Sequence, residues 1–228
     1  MSTSTHDTHA STGATDAGAA ADAYVGAYPF MPGRGAVWRE IVRRVARDAP
    51  DVGTLVELGA GYCDFINAFP AKQKIAFDLN PEMRAFADPA VDLRIEDACS
   101  LANLPPGSVD LVFASNFLEH LLLDEVDELL EATHRSLRPG GRLMLIQPNH
   151  RLCADHYFDD PTHRTIFDDR SLPALLTEHG LDVLHCIPDL LPFSMKSRAP
   201  KWPLLVRLYL NSPWRPFGAQ MYLVAERP

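Results

Sequence analysis

The sequence has no run of 18 or more apolar residues and only four cysteines among 228 residues. Without such a run, no membrane-spanning helix is predicted. The cysteines form no Cys-x-x-Cys pair, which argues against a disulfide scaffold or a structural zinc site and favours a reducing compartment. The widely separated cysteines are Cys63, Cys99, Cys153 and Cys186. We therefore expect a cytoplasmic protein.

The first 23 residues contain no lysine, no arginine and no apolar block. A secretory or transit peptide needs the basic residues or the apolar stretch that are missing here. The segment is rich in Ser, Thr, Ala, Gly and Asp, a composition that does not bury enough apolar surface to fold. We predict a disordered tail over residues 1–23 and a single domain over residues 24–228, a length that suits one hydrophobic core.

The chain has an excess of acidic residues, with a formal net charge of −9. This charge would repel nucleic acid, which we therefore do not expect as a partner. The charge is uneven, because all the charged side chains of residues 190–218 are basic. We predict that this segment is a lid-like insertion before the last strand. The basic residues are Lys196, Arg198, Lys201, Arg207 and Arg215.

Within this insertion, residues 196–215 interleave the basic side chains with tryptophan and leucine. Such a segment suits an anionic acceptor, or a peripheral contact with a membrane surface near a lipid-linked acceptor. A surface helix that packs its apolar face on the core explains the pattern equally well. The sequence gives no signal for the oligomeric state.

Short apolar runs of strand length alternate with helical patterns along the chain. The predicted helices are Val37–Asp48, Asp124–Leu137 with Asp124 as its cap, and Ser171–Gly180. This alternation predicts an α/β fold with a doubly wound, mostly parallel sheet, whose ligands bind beyond the carboxyl ends of the strands. The predicted strands are Thr54–Leu58, Lys74–Leu79, Val91–Ile95, Val109–Ala114, Arg142–Gln147, Val183–Ile187 and Met221–Ala225.

A glycine turn follows the first predicted strand, where Glu57 precedes Gly59, Ala60 and Gly61. Glycines let a backbone turn tightly and approach a ligand closely. A dinucleotide site favours a third glycine three residues after the second, where this chain has Asp64. Two carboxylates would repel a pyrophosphate but suit a cofactor that carries a sulfonium and an ammonium group.

Acidic residues also end the next two strands. Asp78, followed by Leu79, lies about 20 residues beyond the turn, where a carboxylate can accept hydrogen bonds from both ribose hydroxyls. Asp97, followed by Ala98, comes after the third strand and could accept a hydrogen bond from an adenine amine. NAD sites also have an acid at the position of Asp78. Neither acid alone therefore distinguishes a dinucleotide from a cofactor that carries a sulfonium group.

The order and spacing of these motifs resemble class I S-adenosylmethionine-dependent methyltransferases. The resemblance covers roughly residues 37–180, and it implies a seven-stranded Rossmann-like sheet with an antiparallel last strand. The chain departs from the family pattern at Cys63, where many members carry a third glycine. The segments that carry the resemblance are Glu57–Gly61, Asp78, Asp97-Ala98, Asp110–His120 and Leu137–Gly141.

The resemblance implies S-adenosyl-L-methionine as cofactor and S-adenosyl-L-homocysteine as product. It places the methionine part at the glycine turn, the ribose at Asp78 and the adenine at Asp97 and Ala98, with Asn116 closing the pocket floor. The predicted cofactor-binding residues are Glu57, Gly59, Ala60, Gly61, Asp78, Leu79, Asp97, Ala98 and Asn116.

The loop after the fifth predicted strand looks like that of bacterial members that modify small molecules or glycans. If the acceptor is a hydroxyl, its methylation needs a base, and histidine is the natural candidate. His163 and His156 in this loop are the predicted catalytic residues, although the Asp-Pro-Thr-His sequence around His163 also fits a rigid turn. Glu119 and His120 are interpreted as a capping pair under the cofactor.

No metal is expected, because no spacing enforces a metal site among the histidines and aspartates of this loop.

The sequence bears differently on three other functions. A short-chain NAD-dependent oxidoreductase needs a Tyr-x-x-x-Lys pair, which the sequence lacks. A catalytically silent relative that only binds S-adenosylmethionine has no sequence feature against it. Base-amino methyltransferases of nucleic acids resemble a pattern with Asn-Pro-Pro after the fourth strand, which is also absent.

Overall fold

The computed structural model describes residues 30–31, 33–192 and 202–228. The predicted tail over residues 1–23 lies outside these ranges. So do three of the basic residues of the predicted insertion, Lys196, Arg198 and Lys201.

Seven strands form one sheet in the order β3-β2-β1-β4-β5-β7-β6. The first five strands pair in parallel, whereas β7 lies antiparallel to both β5 and β6. This topology confirms the predicted Rossmann-like methyltransferase fold, including its antiparallel last strand. The strands are β1 Thr54–Leu58, β2 Gln73–Phe77, β3 Val91–Arg94, β4 Val109–Ser115, β5 Leu137–Pro148, β6 Asp182–Pro192 and β7 Gly218–Glu226.

The helices of the described ranges cover both faces of the sheet. Short 3₁₀ turns replace helices in several of the connections, at 46–48, 81–85, 98–103, 118–120 and 154–159. The α-helices are α1 Arg34–Val45, α2 Asp64–Ala68, α3 Leu123–Ser136, α4 His150–Cys153, α5 Ser171–Glu178 and α6 Pro203–Asn211. None of these helices is long and apolar enough to cross a bilayer.

Strand β4 shows how the sheet divides the core into two layers. Its side chains alternate between the faces, so Leu111 and Phe113 join one apolar cluster while Val112 and Ala114 join the other. All four are fully buried, as expected for a central strand of a parallel sheet. The first layer contains α1, α2 and α6, and the second contains α3 and α5.

Helix α3 begins at Leu123, one residue before its predicted start, and its predicted cap was wrong. The carboxylate of Glu125, not Asp124, reaches back and accepts a hydrogen bond from the backbone N–H of Leu122 at 2.7 Å. A residue at the third helical position has the reach for this contact, which is one half of a capping box. Strand β5 then begins directly at Leu137, and its pairing with β4 shifts across the Pro-Gly-Gly sequence.

Helix α6, in the predicted insertion, packs against α1. Its Arg207 forms a two-pronged ion pair with the buried Glu40, at 2.8 and 3.0 Å. Arg43 contacts the same carboxylate, and these contacts lower the pKa of Glu40 to about 2. Leu210 is buried in the core beneath the helix. One basic side chain of the predicted insertion, that of Arg207, therefore anchors α6 to α1.

Candidate active site

The glycine turn lies at the carboxyl end of β1, next to that of β2. The backbone N–H groups of Gly59 and Ala60 both donate to the carbonyl of Phe77, at 2.9 and 3.2 Å. Gly59 and Gly61 have φ angles of 63° and 50°, in the left-handed region that favours glycine. The sheet pairing therefore continues into the turn and fixes its position.

Gly59 is required for a second reason, which is the ring of Phe117. A Cβ built on Gly59 would lie 2.4 Å from the Cδ2 atom of this ring. Phe117 is the second residue after β4, so the segment that follows the fourth strand packs over the turn that follows the first strand. The sequence interpretation missed this contact, because nothing local relates the two positions.

Asp78 joins the end of β2 to the glycine turn. One carboxylate oxygen accepts a hydrogen bond from Gly61 N–H at 2.7 Å, and the other accepts one from Asn80 N–H at 2.8 Å. Burial raises the pKa of this carboxyl, and the two amide bonds oppose that rise. A carboxylate offers about four acceptor positions. Asp78 therefore keeps acceptor capacity for two further donors, such as the hydroxyls of a ribose.

Glu57 and Asp64 contribute differently from the sequence prediction. Glu57 lies on the α2 side of β1, where its carboxylate is 4% exposed and accepts a hydrogen bond from Ile66 N–H at 2.9 Å. Burial raises its pKa well above the usual value. Asp64 forms an ion pair with Arg34, whose guanidinium also stacks on Tyr62. Both carboxylates therefore have partners within the protein, and the preference for a cationic cofactor that the sequence predicts from them stays a prediction.

Arg34 is the first residue of α1. Its ion pair with Asp64 joins the start of α1 to the start of α2. Arg34 thus fixes the helix that follows the glycine turn.

Cys63, the departure from the family pattern, fits at its position. Its φ angle is 56°, so it adopts the left-handed conformation that a third glycine would supply. The thiol is fully buried, and burial raises its pKa to about 12. Cys63 is therefore a structural residue in its protonated form.

The predicted residues for ribose and adenine line the same edge of the sheet. Leu79 is 44% exposed directly after Asp78. Asp97 is exposed after β3, where one of its oxygens accepts a hydrogen bond from Cys99 N–H at 2.7 Å. Ala98 beside it is buried.

Asn116 follows β4 directly and adopts a left-handed conformation, with a φ angle of 48°. Its backbone N–H donates to Ile146, and its side-chain oxygen accepts a hydrogen bond from Gln220 Nε2 at 2.9 Å. Gln220 lies on β7, so the last strand of the sheet holds Asn116, the residue predicted to close the pocket floor. A contact between residues 104 positions apart has no local sequence signal.

A cluster of Glu119, His120 and His163 lies beyond the end of β4. One ligand-type atom from each side chain lies within 4.8 Å of those of the other two. Glu119 is 1% exposed, and neither of its carboxylate oxygens has a hydrogen-bond partner among the described residues. Burial raises its pKa to about 8, and Asp160 adds to that rise. The capping interpretation of Glu119 was therefore wrong, because its side chain caps no helix.

Two loop contacts hold this cluster together. The backbone N–H groups of Arg164 and Thr165 both donate to the carbonyl of Glu119, at 2.7 and 3.2 Å. The Thr165 hydroxyl donates to the carbonyl of Leu121 at 2.6 Å. The loop after β5 is therefore fastened to the segment after β4, and His163 is brought beside Glu119.

The two predicted catalytic histidines have different surroundings. His163 is 9% exposed, and burial lowers its pKa, opposed by Asp160 and by the Tyr157 backbone. Its ring lies 5.1 Å from that of His120. The side chain of His156 is 70% exposed and contacts Asp159 at 3.1 Å. The structure thus brings His163, but not His156, into the cluster.

The sheet order, the glycine turn and the acid after β2 together define a class I methyltransferase fold. The donors and acceptors at this edge also fit S-adenosylmethionine. Asp78 retains acceptor positions for ribose hydroxyls, and no glycine stands at position 64, where a dinucleotide-binding turn would have one.

Comparison with known proteins agrees with this class. Residues 56–145 match the family model described as a methyltransferase domain. No curated protein matches the chain. The match identifies a methyltransferase domain in this part of the chain and agrees with the Rossmann-like fold. Fold and domain together support an enzyme that transfers methyl groups with S-adenosylmethionine as its cofactor.

Solved structures share the fold at low sequence identity. An S-adenosylmethionine-dependent methyltransferase from Archaeoglobus fulgidus is 22% identical, with a TM-score of 0.60 over 83% of this chain and 94% of that one. A geranyl diphosphate C-methyltransferase from Streptomyces coelicolor, solved with S-adenosyl-L-homocysteine, is 15% identical, with a TM-score of 0.59 over 82% and 77%. The N-methyltransferase NodS from Bradyrhizobium japonicum is 13% identical, with a TM-score of 0.57 over 83% and 94%.

Proposed function

We propose that this enzyme methylates a hydroxyl group of a small-molecule or glycan acceptor. The observation that carries the proposal is His163, a buried histidine that lies beside Glu119 and His120, beyond the sheet edge that holds Asp78. The structural neighbours include a C-methyltransferase and an N-methyltransferase, so the fold does not choose the acceptor atom. A hydroxyl is the acceptor that requires a nearby base most strongly, because its pKa is far above neutrality.

The chain's own residues would hold the cofactor at the ends of β1 to β4. In this proposal Asp78 accepts hydrogen bonds from the ribose hydroxyls, Asp97 and Ala98 face the adenine with Leu79 beside them, and Asn116 closes the floor. Gly59, Ala60 and Gly61 let the backbone approach the methionine part, while Glu57 supports the turn from beneath through Ile66. When bound, the cofactor supplies an activated methyl group, so the protein mainly aligns the acceptor and excludes water.

His163 is the proposed proton acceptor. Its burial lowers its pKa, so the neutral form predominates at pH 7. Its Nδ1 atom has no hydrogen-bond partner within the described part of the chain. A neutral imidazole in this position can accept the proton of a hydroxyl placed at the cluster. His156 is the second candidate, and its exposure would let it act only on an acceptor that reaches the pocket mouth.

We expect His163→Ala to lower kcat by about 100-fold to 10,000-fold, the usual contribution of a general base. Cofactor affinity should stay near the wild-type value, because no proposed cofactor contact is removed. In the wild type, kcat should fall with decreasing pH, with a midpoint below 6.5, since burial lowers the pKa of His163. Steady-state kinetics on the acceptor and calorimetry with S-adenosyl-L-homocysteine measure these two effects.

The acceptor for this assay can be found by incubating cell extract with isotopically labelled S-adenosylmethionine and locating the labelled product. His134→Ala, on α3, is the control and should keep wild-type turnover. Unchanged turnover in His163→Ala would remove this residue as the base. A label found on nitrogen or carbon would overturn the hydroxyl assignment.

We also propose that α6 and the turn after it rest on a membrane surface, which would bring the enzyme close to a lipid-linked acceptor. Five large apolar side chains there are more than half exposed. Tryptophan and leucine beside basic residues are typical of interfacial segments. Arg207 and Arg215 are engaged with Glu40 and Asp189, so the apolar side chains carry the argument. They are Trp202, Leu204, Leu208, Trp214 and Phe217.

We expect the enzyme to sediment with vesicles that contain phosphatidylglycerol, and Leu208→Glu to weaken this binding at least about 10-fold, because burying an unpaired charge is unfavourable. Leu123→Glu is a matched control, since the two leucines are 59% and 58% exposed. Wild-type protein that stays in the supernatant, or equal effects of the two substitutions, would contradict the proposal.

A further inference from the structure

We propose that Glu119, His120 and His163 bind a divalent transition-metal ion of the zinc type, beside the cofactor pocket. The sequence analysis expected no metal, and this inference departs from it. The binding site stands on the geometry of the cluster alone, while its catalytic use rests on the proposed function.

The first argument is the buried carboxylate of Glu119. Both of its oxygens lack a hydrogen-bond partner among the residues that the structure describes, and the side chain is 1% exposed. A buried carboxylate without partners is costly, and buried acids are normally paired or bound to a metal. The cluster brings two imidazoles to this carboxylate, with His120 Nε2 4.0 Å from one of its oxygens, and imidazoles are metal ligands themselves. A cation between these three side chains would give the carboxylate the partner that the protein does not supply.

The second argument is the orientation of His120. The Thr162 hydroxyl donates its single proton to Asp160 at 2.5 Å, so its oxygen accepts from His120 Nδ1 at 2.9 Å. This chain of hydrogen bonds places the imidazole proton on Nδ1 and leaves a lone pair on Nε2. Nε2 lies 4.0 Å from an oxygen of Glu119. Metal-binding histidines usually donate their other ring N–H to such a partner.

The third argument is the composition and spacing of the cluster. Two imidazoles and one carboxylate form a ligand set of catalytic zinc sites, which leave a fourth position open. Imidazole ligands favour Zn²⁺ and related transition metals over Mg²⁺ and Ca²⁺. The ligand atoms lie within 4.8 Å of one another, so small side-chain movements bring them onto one ion. The side chain of His120 is 24% exposed, which gives solvent and ligands access to this side of the cluster.

The fourth argument is that the backbone already holds the ligands in place. Arg164 and Thr165 both bond to the carbonyl of Glu119, so the loop that carries His163 is fastened to the segment that carries the other two ligands. A site on fixed elements binds its ion with little reorganisation.

A bound ion would give the acceptor hydroxyl a second route to proton loss. A cation lowers the pKa of an oxygen bound at its open position, so a hydroxyl bound there would release its proton to solvent water. His163 would be a ligand in this metal-bound form, and its proposed role as proton acceptor would apply to the metal-free form.

The test begins with metal-free protein prepared by dialysis against a chelator. Calorimetric titration with Zn²⁺ should show one ion bound per chain, and Co²⁺ should give the visible absorption of a four-coordinate site. Glu119→Gln and His163→Ala should each lower the Zn²⁺ affinity at least about 100-fold. His179→Ala removes a histidine that pairs with Asp127 at 3.4 Å, and this control should bind Zn²⁺ as the wild type does.

Absent Zn²⁺ binding in the wild type, or equal affinity in the wild type and Glu119→Gln, would overturn the metal site. If a variant fails to fold, the melting temperature of the wild type serves as the test, and Zn²⁺ should raise it. No rise in the melting temperature of the wild type would also overturn the metal site. Binding of S-adenosyl-L-homocysteine to the metal-free wild type separates the two proposals. If it persists without Zn²⁺ binding, only the metal site fails. If it is absent while Zn²⁺ binds, the proposed function fails.

Discussion

Asp78→Ala is expected to lower the affinity for S-adenosyl-L-homocysteine at least about 100-fold. Two hydrogen bonds to a charged acceptor are lost, and each contributes about 1.5–3 kcal/mol. The carboxylate also holds the N–H groups of Gly61 and Asn80, so its removal loosens the turn beside the methionine part. Asp78→Asn should retain part of the affinity, because an amide oxygen still accepts one of these bonds. Calorimetry on the purified variants measures both effects.

Asp92→Asn is the control for this experiment. Asp92 lies on the neighbouring strand β3 and pairs with Arg94 on the protein surface. Cofactor affinity should not change in this variant. If Asp78→Ala bound S-adenosyl-L-homocysteine as the wild type does, the ribose would have to be held elsewhere.

Gly59→Ala is expected to lower both stability and cofactor binding. The new Cβ would meet the Phe117 ring at 2.4 Å, and the φ angle of 63° is unfavourable for alanine. Overpacking and a left-handed conformation together predict a loss of about 2–4 kcal/mol in the free energy of unfolding. Urea denaturation measures the stability, and calorimetry with S-adenosyl-L-homocysteine measures the binding.

A double variant separates the two causes. Phe117→Ala in the Gly59→Ala background removes the clash but keeps the unfavourable φ angle. The double variant should lose less free energy of unfolding than the sum of the losses in the two single variants, because the clash that Gly59→Ala creates is absent. Additive effects would show that the ring and the turn do not interact. Gly107→Ala is a useful reference, because Gly107 has a φ angle of 67° and no atom within 4 Å of its Cβ position.

Much of the fold was predictable because local sequence carries its signals. The apolar run Thr54–Leu58 coincides with β1, and the remaining strands match their predicted runs with shifted or extended ends. Periodicity identifies such elements because a buried strand or helix face needs apolar side chains at fixed spacing. Capping was predicted less well, since Asp124 and Glu125 are adjacent acids and only the backbone geometry decides which one reaches Leu122.

The site was predicted where motifs are local and was missed where contacts are distant. The residues of the glycine turn and Asp78 lie together, as expected from strands that end at one sheet edge. The packing of Phe117 on Gly59 and the bond from Gln220 to Asn116 depend on the tertiary fold. The hydrogen bond from Ile66 N–H of α2 to Glu57 was not indicated by the sequence either, and the cofactor contact of Glu57 stays a prediction.

The most direct test of the account is a crystal structure of the protein soaked with S-adenosyl-L-homocysteine. We predict that the ligand lies along Gly59 and Gly61, with its ribose hydroxyls on the carboxylate of Asp78. A ligand bound away from the glycine turn would contradict the account. So would a parallel soak in which NAD occupies the turn and S-adenosyl-L-homocysteine does not.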